Sequence, residues 1–432
     1  MYMKYQPISS EVYIQNRAKF MQAMKPKSIA IFNSNDIYPI SADSTLPFSQ
    51  HRDIFYLSGI DQEETILLLF PDAVDPKHQQ ILFLRETNQN LAIWEGAKLS
   101  QQQALELSGI KTVYWLQDFE KVLLNLMAQA DCLYFNTNEH HRQKVETQTR
   151  EDRFIAWAKQ AFPAHAYAKS NPILQSLRSI KDYRELQQIS TACQITEKGF
   201  RRILNFVKPG VWEYQIEAEY IHEFLKSRSK GFAYTPIIAS GHNANILHYI
   251  DNNKQCQDGQ LLLMDVGAEY GNYSSDMTRT IPVNGRFNAR QKAVYQAVNK
   301  VKKQATSMLT PGTLLKEYEI EVGKIMTSEL VGLGLLDKAD IQSQDSKNPA
   351  YKKYFMHGTS HHLGLDTHDY GVLWDPIQAN MVFTVEPGIY IQKEGLGIRL
   401  EDDVVVQPTG QPKNLMQNIP IEIEEIEDLM NS

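Results

Sequence analysis

The stretch LLLMDVGAEYGNYSSDMTRTIPV occupies residues 261–283. Two strand-like runs flank the pair Gly271 and Asn272, which is typical of a β-hairpin with a two-residue loop. That loop pairs Gly267 with Asp276 and places Asp265 on the same strand face, diagonal to Asp276. Burying two carboxylates beside such apolar residues is unfavourable unless a cation lies between them. The hairpin therefore predicts a cation site, with one inward and one solvated aspartate as the alternative.

A second pair of strand-like runs lies near the C-terminal end, in MVFTVEPGIYI at 381–391 and GIRLEDDVVV at 397–406. Period-two alternation places Glu386 on the inward face of the first run. The same alternation places Arg399 and Glu401 together on one face of the second run, and assigns the two aspartates after Glu401 to the opposite face or the strand edge. Two further inward carboxylates are therefore predicted.

Histidine is concentrated in one place, because four of the twelve histidines fall in HGTSHHLGLDTH, residues 357–368. Neutral imidazole is a common metal ligand and a common acid or base near pH 7, although chance grouping at the surface is the alternative. Two Asp, two Glu and one His form an oxygen-rich set that suits divalent ions such as Mn²⁺. Four carboxylates exceed the needs of one ion, so we expect two ions about 3.5–4 Å apart with bridging carboxylates.

Composition excludes several other classes of protein. The chain has 432 residues and a formal net charge of −7, and no run of lysine or arginine could follow a phosphate backbone, so nucleic acid is not an expected partner. No aliphatic run is long enough to span a membrane, and the first residues lack an apolar signal segment. The three cysteines are widely spaced, which indicates neither a disulfide framework nor a thiolate metal site. A cytoplasmic enzyme is expected.

The chain divides into two predicted domains, 1–172 and 173–432. In the first, short apolar runs alternate with helical stretches, which predicts an α/β layer whose sheet is covered on both faces. The predicted strands are 29–32, 65–70, 80–84, 112–115 and 132–135. In the second, helices are predicted at about 179–207, 213–230, 288–309 and 314–330, and the first and third end at a Pro-Gly pair. This recurrence predicts an internal pseudo-twofold repeat of 175–283 and 288–405.

The motifs together resemble a known family. HGTSHHLGLDTHD, TVEPGIYI, GIRLEDD and the DVG…SDMTRT hairpin resemble the pita-bread metallopeptidases of family M24, most closely aminopeptidase P. The resemblance is strong over about 175–430, and the segment PFSQHRDIFYLSG at 47–59 resembles the N-terminal domain of that family. It implies an α/β N-terminal domain followed by an α+β pita-bread (creatinase/aminopeptidase) catalytic domain.

The resemblance also implies the roles of individual residues. The implied metal ligands are Asp265, Asp276, His361, Glu386 and Glu401, with Asp276 and Glu401 bridging two divalent ions, for which Mn²⁺ is the expected metal. Residues implied to act on the substrate or to support the site are His248, His368, His357, Glu386 and Arg399. Tyr390 is a weaker pocket candidate that a core position would explain equally well, and His242 and His362 are expected to serve packing or to lie at the surface.

The residues implied to act on the substrate or to support the site are expected to have different roles. His248 and His368 are expected to contact the substrate and to stabilise the tetrahedral intermediate, while His357 lines the same pocket. Arg399 is expected to hold a ligand carboxylate in place. Glu386 is expected to relay a proton to the leaving nitrogen.

The implied reaction is release of the N-terminal residue from peptides with proline in the second position, through a hydroxide that bridges the metals. The nearest alternative is prolidase, which cleaves Xaa-Pro dipeptides and, in this family, places an arginine between the HisAsp and ValGluProGly motifs. Residues 370–385 contain no arginine or lysine, which favours aminopeptidase P. Methionine aminopeptidase would leave about 170 N-terminal residues without a purpose.

Two further expectations concern partners. A non-catalytic pita-bread binding module is the alternative from another class, and the intact ligand set argues against it. Trp94, in IWEG, resembles a tryptophan that some family members contribute to the site of a neighbouring subunit, which predicts a homo-oligomer, either a dimer or a tetramer. A tryptophan of the protein core is the alternative. The loop between Tyr390 and Gly397 is shorter than in bacterial relatives, so the pocket rim is expected to differ.

Overall fold

The structure is a computed structural model that describes residues 5–140, 142, 146–345 and 347–432. It divides into two compact units, Met1–Arg178 and Ser179–Ser432. The division falls inside the helix Asn171–Ser179, whereas the sequence places the boundary at 172/173. Among the described residues, no helix combines the length and the apolar character that crossing a membrane requires.

The first unit is an α/β layer. Its helices are α1 Ser10–Ala23, α2 Arg52–Ser58, α3 Gln89–Trp94, α4 Gln101–Ser108, α5 Phe119–Met127, α6 Arg150–Ala161 and α7 Asn171–Ser179. Its strands are β1 Ser28–Asn33, β2 Pro39–Ser41, β3 Ser44–Thr45, β4 Ile66–Leu69, β5 Gln80–Leu84, β6 Thr112–Trp115, β7 Cys132–Phe135 and β8 Ala166–Lys169. The main sheet has the order β6-β5-β4-β1-β7-β8, with β1 antiparallel to β4 and parallel to β7. The strands predicted for this domain are confirmed.

The apolar runs of these strands are buried on both sides of the sheet. Ile29 and Ile31 of β1 join a core cluster that includes residues of α5 and α6. On the opposite face, Phe32 of β1 meets Phe20 of α1 edge to face, with ring centroids 5.3 Å apart. Burying each such side chain contributes about 1.5–3 kcal/mol, so a continuous apolar strand is stable only when helices cover both faces.

The second unit contains longer helices and several small sheets. Its helices are α8 Tyr183–Phe206, α9 Glu213–Lys226, α10 Ala289–Met308, α11 Leu315–Gly332, α12 Lys338–Gln342 and α13 Ile423–Met430. Its strands are β9 Gly231–Phe232, β10 Ile237–Ser240, β11 Leu261–Val266, β12 Ala268–Tyr270, β13 Tyr273–Ser274, β14 Met277–Pro282, β15 Val382–Val385, β16 Gly388–Ile391, β17 Leu396–Arg399, β18 Asp402–Val405 and β19 Lys413–Asn414.

Local signals explain where the predicted helices begin and end. Asp182 and Glu185 form a capping box at the start of α8, and Asn288 and Gln291 form one at the start of α10. Both helices end shortly before the proline of a Pro-Gly pair, where a helix cannot continue. The four predicted helices are confirmed, with α8 beginning a few residues later than expected because its cap is Asp182.

The hairpin at 261–283 has the predicted register. Asp265 opposes Thr278 in the pair β11 and β14, and Tyr270 opposes Tyr273 beside the Gly271-Asn272 loop. The hairpin is interrupted at Gly267, where a Cβ atom would lie 1.7 Å from the backbone oxygen of Ser275. Beyond this point β12 and β13 leave the sheet of β11 and β14 and form a separate sheet in which β12 lies between β13 and β9.

The C-terminal hairpin is interrupted in the same way. Val385 opposes Asp402 in the pair β15 and β18, and Gly388 opposes Arg399 in the pair β16 and β17. Glu386 and Glu401 lie at the interruption, between the two paired segments. The strand pairing predicted here is confirmed, and the internal repeat stays a prediction.

Candidate metal centre

The carboxylates of Asp265 and Asp276 lie close together. The hydroxyl of Tyr234 is 2.6 Å from Oδ1 of Asp265 and 2.5 Å from Oδ1 of Asp276, so one phenol, with a single proton, contacts both carboxyl groups. Burial and the two neighbouring carboxylates raise the pKa of Tyr234 well above its usual range, which keeps the proton on the phenol. The diagonal arrangement that the hairpin predicts is therefore realised in the fold.

His361 presents one nitrogen to these acids. Its Nε2 lies 3.5 Å from Oδ2 of Asp276 and 3.7 Å from Oε1 of Glu386. Its Nδ1 lies 3.0 Å from the backbone oxygen of His362, and an oxygen of this kind can only accept a hydrogen bond. The neutral ring therefore carries its proton on Nδ1, and the lone pair of Nε2 faces the carboxylates, as in a histidine that binds a metal.

Asp276, His361 and Glu401 each offer one donor atom, and these three atoms lie within 4.8 Å of one another. Asp276 and Glu401 are buried. Burial and the nearby acids raise the pKa of both groups well above the usual range, and burial raises the pKa of Glu386 to about 7. Acids gathered away from water in this way repel one another, and a divalent cation would offset both the repulsion and the lost hydration. The donor set fits such an ion.

Arg399 lies beside this cluster and donates hydrogen bonds to it. Its guanidinium, almost fully buried, donates to Oδ2 of Asp265 at 2.6 Å, to the hydroxyl of Tyr390 at 2.7 Å and to Oγ1 of Thr278 at 3.1 Å. A planar guanidinium can make these three bonds in fixed directions, which fixes the orientation of the Asp265 carboxylate.

His357 lies against the same cluster as a neutral ring. Its Nε2 is 2.8 Å from the hydroxyl of Tyr390, and its Nδ1 is 2.8 Å from the backbone oxygen of Gly358 and 3.6 Å from Oε2 of Glu386. Burial lowers the pKa of His357 to about 3, and the charge of Arg399 acts in the same direction. Tyr390 is a buried residue whose hydroxyl also reaches the site, so both of its expected roles are observed.

His248 and His368 are exposed residues beside the cluster. The rings of His368 and His361 have centroids 4.4 Å apart, and His248 is among the groups whose charge lowers the pKa of His357. His242 is exposed, whereas His362 is buried with its ring centroid 4.3 Å from that of Phe383. The structure therefore brings together the candidates named from the sequence and leaves His242 and His362 in surface and packing positions.

Comparison with known proteins agrees with this geometry. The sequence profile of metallopeptidase family M24 matches residues 187–408, and that of the aminopeptidase P N-terminal domain matches residues 13–134. The chain belongs to metallopeptidase family M24.

Bacterial relatives of this M24 metallopeptidase match over nearly their full length. It is 34% identical to the Xaa-Pro aminopeptidase of Escherichia coli K12, over 98% of both chains. Its structure superposes on the Pseudomonas aeruginosa aminopeptidase PepP with a TM-score of 0.88 at 31% identity, over 98% of both chains. It superposes equally well, at 33% identity and over 99% of both chains, on zinc-substituted E. coli aminopeptidase P in complex with product.

These matches confirm the predicted class, a metal-dependent aminopeptidase, and the predicted architecture, an aminopeptidase P N-terminal domain followed by a pita-bread catalytic domain. They also favour an enzyme over the alternative of a non-catalytic binding module, because the matched relatives are peptidases.

Sequence reasoning missed several residues that shape the centre of this M24 enzyme. Tyr234 joins two of the acids, and the buried hydroxyl of Thr278 donates to Oε2 of Glu401 at 2.7 Å. Thr278 could have been found, because it lies two residues after Asp276 and therefore on the same strand face. Tyr234 carried no such signal.

Helix α11 also contributes to the centre. Its Glu319 accepts hydrogen bonds from the backbone nitrogen of Thr359 at 2.8 Å and from the hydroxyl of Thr359 at 3.1 Å. The backbone oxygen of Thr359 in turn accepts from the nitrogen of Glu386 at 2.8 Å. Glu319 therefore fixes the loop that carries His357 and His361, from a helix outside the motifs that point to the site.

Proposed function

We propose that this chain releases the N-terminal residue from peptides with proline in the second position, in the manner of a Xaa-Pro aminopeptidase. The observation that carries the proposal is the buried cluster in which donor atoms of Asp276, His361 and Glu401 lie within 4.8 Å. The Xaa-Pro aminopeptidase of E. coli, which matches 98% of the chain, supports the same substrate class.

The residues that would hold two divalent ions are Asp265, Asp276, His361, Glu386 and Glu401. Their oxygen-rich composition favours Mn²⁺. When bound, such ions supply Lewis acidity, which polarises the scissile carbonyl and makes a bound water acidic enough to attack near neutral pH.

The side chains of the protein prepare and complete the reaction. Arg399 keeps Asp265 in place, and Thr278 does the same for Glu401. His248 and His368, which are exposed near His357 and His361, are proposed to donate hydrogen bonds to the oxygen of the carbonyl as negative charge develops there.

Glu386 is proposed to move the proton. Its carboxyl oxygens lie 3.7 Å from Nε2 of His361 and 3.6 Å from Nδ1 of His357, at the margin of the acid cluster. The nitrogen of a proline leaves as a secondary amine and must gain a proton before it departs. Glu386 takes a proton from the attacking water and delivers it to that nitrogen.

An aminopeptidase is favoured over a prolidase by the segment after His368. A dipeptidase must bind a free carboxylate close to the scissile bond, which a cation would do best. Residues 370–385 contain no lysine or arginine, and Leu373 and Trp374 are instead exposed, at 41% and 77%. This apolar surface favours a continuing peptide chain over a terminal carboxylate.

The experiment compares a dipeptide Xaa-Pro with tripeptides Xaa-Pro-Xaa and Xaa-Ala-Xaa, after removal of metals by a chelator and restoration with Mn²⁺. With metal restored, we expect fast cleavage of the proline tripeptide and slow cleavage of the other two peptides. Before metal is restored, we expect no cleavage of any peptide. Faster cleavage of the dipeptide would indicate prolidase activity. Cleavage of neither proline peptide by metal-loaded protein would refute the proposal.

We further propose a homo-oligomer in the cytoplasm. Trp94 and Ile93 at the end of α3 are exposed at 85% and 77%, so the alternative of a core tryptophan is wrong, and a partner would cover apolar area there.

The three cysteines are free, which suits a reducing compartment. We also propose that 1–172 act as the aminopeptidase P N-terminal domain and 173–432 as the catalytic domain.

A further inference from the structure

Glu213, the first residue of α9, has a fully buried carboxyl group. Its Oε1 accepts from the nitrogen and the hydroxyl of Ser240, both at 2.7 Å, and from Nδ2 of Asn243 at 3.5 Å. Its Oε2 accepts from the hydroxyl of Tyr249 at 2.8 Å and from the nitrogen of Lys254 at 2.9 Å. Every one of these donors belongs to a single segment, residues 240–254.

That segment carries His248 near its middle. After a short 3-10 helix, Gly241–Asn245, it continues without a regular strand or helix. Ile246, His248 and Ile250 are exposed, whereas Tyr249 is buried and belongs to a core cluster that also contains Tyr390. His248 therefore points away from a segment that is fixed on its buried side.

A second contact fixes the end of the segment independently. Asn252 donates from Nδ2 to Oε2 of Glu217 at 2.9 Å, and its Oδ1 accepts from the nitrogen of Ile238 at 3.0 Å. Its φ of +45° is in the left-handed region, which asparagine tolerates better than most residues. Glu213 bonds to the segment at Ser240, where β10 ends, at Tyr249 beside His248, and at Lys254 near its end.

A buried carboxyl group is unfavourable unless its oxygens accept hydrogen bonds. In the described part of the chain, the side chains and backbone groups that bond to Glu213 carry no formal charge, so the group is satisfied by the number of its bonds and not by an ion pair. Losing the carboxyl would release several donors at once and let the segment adopt other conformations.

We propose that Glu213 is a positioning residue for His248. It acts through two residues of the segment. Tyr249, the chain neighbour of His248, donates its hydroxyl to Glu213, and Ser240 donates to Glu213 at the start of the segment. The inference rests on the proposed function, in which His248 contacts the substrate. Because a shift of about 1 Å in a group that contacts the transition state can lower the rate about 100-fold, the position of this segment matters for turnover.

The test uses metal-loaded protein and a double-mutant cycle. Glu213→Gln keeps the shape, but only one of its two terminal atoms can accept hydrogen bonds. Tyr249→Phe serves if Glu213→Gln fails to fold; it removes the bond to Glu213 nearest His248 and the longer bond from the nitrogen of Asn253. Glu219→Gln is the matched control, since Glu219 lies on the same helix and pairs with Arg202. The readouts are kcat and KM on a Xaa-Pro-Xaa peptide, bound metal, and hydrogen exchange of the amides in 240–254.

We expect Glu213→Gln to lower kcat/KM about 10- to 100-fold with bound metal unchanged, Tyr249→Phe to act in the same direction, and Glu219→Gln to stay within about twofold of wild type. In a His248→Ala background, Glu213→Gln should change kcat/KM less than about twofold, because its effect passes through His248. Equal losses in both backgrounds would overturn the inference, since a merely structural role predicts them.

The exchange measurement separates this inference from the proposed function. Faster exchange in 240–254 is expected in Glu213→Gln and not in Glu219→Gln, whatever the substrate. Unchanged exchange would overturn the role of Glu213 even if the enzyme cleaves proline peptides. Wild-type protein that cleaves no proline peptide would refute the proposed function, while the exchange result would still decide whether Glu213 holds the segment.

Discussion

The hydroxyl of Thr278 donates a hydrogen bond of 2.7 Å to Oε2 of Glu401, a proposed metal ligand. The two residues are joined a second time, because the nitrogen of Glu401 donates to the backbone oxygen of Thr278 at 3.0 Å. Oγ1 of Thr278 also accepts from Nε of Arg399 at 3.1 Å. Thr278 therefore connects the hairpin of Asp276 with the hairpin of Glu401, and it orients a carboxylate without binding a metal itself.

Thr278→Val should weaken metal binding about 10- to 100-fold, the usual effect of losing a group that orients a metal ligand. Valine keeps the shape but removes the donor to Glu401 and the acceptor for Arg399. Titration of chelated protein with Mn²⁺, followed by calorimetry and by peptide cleavage, measures the change. Thr278→Ser, which keeps the hydroxyl, is the control. Wild-type affinity in the valine variant would contradict this role.

Arg399→Lys should lower kcat/KM about 100-fold although the charge is kept. A single ammonium group cannot reach Asp265, Tyr390 and Thr278 in the directions that the guanidinium does. Steady-state kinetics on a Xaa-Pro-Xaa peptide at saturating Mn²⁺ measures the loss. Arg290→Lys is the matched control, because Arg290 forms a partly exposed ion pair with Glu394 and should behave as wild type.

The two hairpins show how far the sequence could predict the site. Alternation and the Gly271-Asn272 loop determine which residues oppose each other, so the relation of Asp265 to Asp276 follows from local rules. The roles of His361 and Arg399 came from resemblance to a family. Their contacts with acids that lie far away in the chain have no local signature.

Alternation assigns Asp402 and Asp403 to the face opposite Glu401 or to the strand edge, but it does not indicate that both are buried. Asp402 pairs with the buried Arg279, whereas Asp403 accepts from the backbone nitrogen of Asp276 at 3.0 Å. Their partners lie far away in the chain, so no local rule could name them. Tyr234 was missed because it reaches the acids from a connection outside any motif.

Glu386→Gln and His361→Ala should abolish turnover with little effect on folding. The first removes the group that moves the proton and the second removes the nitrogen that faces Asp276 and Glu386. Cleavage of a Xaa-Pro-Xaa peptide measures activity, and circular dichroism with unfolding midpoints measures folding. Full activity in either variant would refute the site assignment, and a folded, inactive Glu386→Gln that binds Mn²⁺ would separate proton transfer from metal binding.

Glu151 should make the stability of the protein depend on pH. Its carboxyl accepts from Nδ2 of Asn33 at 2.8 Å and from the nitrogen of Asn136 at 3.2 Å, and burial raises its pKa to about 7 from an ordinary 4.5. Because the folded state holds this proton more tightly, the stabilisation is full below about pH 4.5 and is lost as the pH rises through 7. At about 1.4 kcal/mol per pKa unit, the free energy of unfolding falls by roughly 3 kcal/mol at most.

Urea unfolding of wild type and Glu151→Gln at pH 5 and pH 8 measures this effect. Glutamine cannot ionise, so the midpoint of the wild type should fall relative to that of the variant as the pH rises. Glu120→Gln, at an exposed glutamate of the same unit, should follow the wild type at both pH values. A difference between wild type and Glu151→Gln that is the same at pH 5 and pH 8 would show that Glu151 keeps an ordinary pKa, because a lost hydrogen bond alone shifts both midpoints equally.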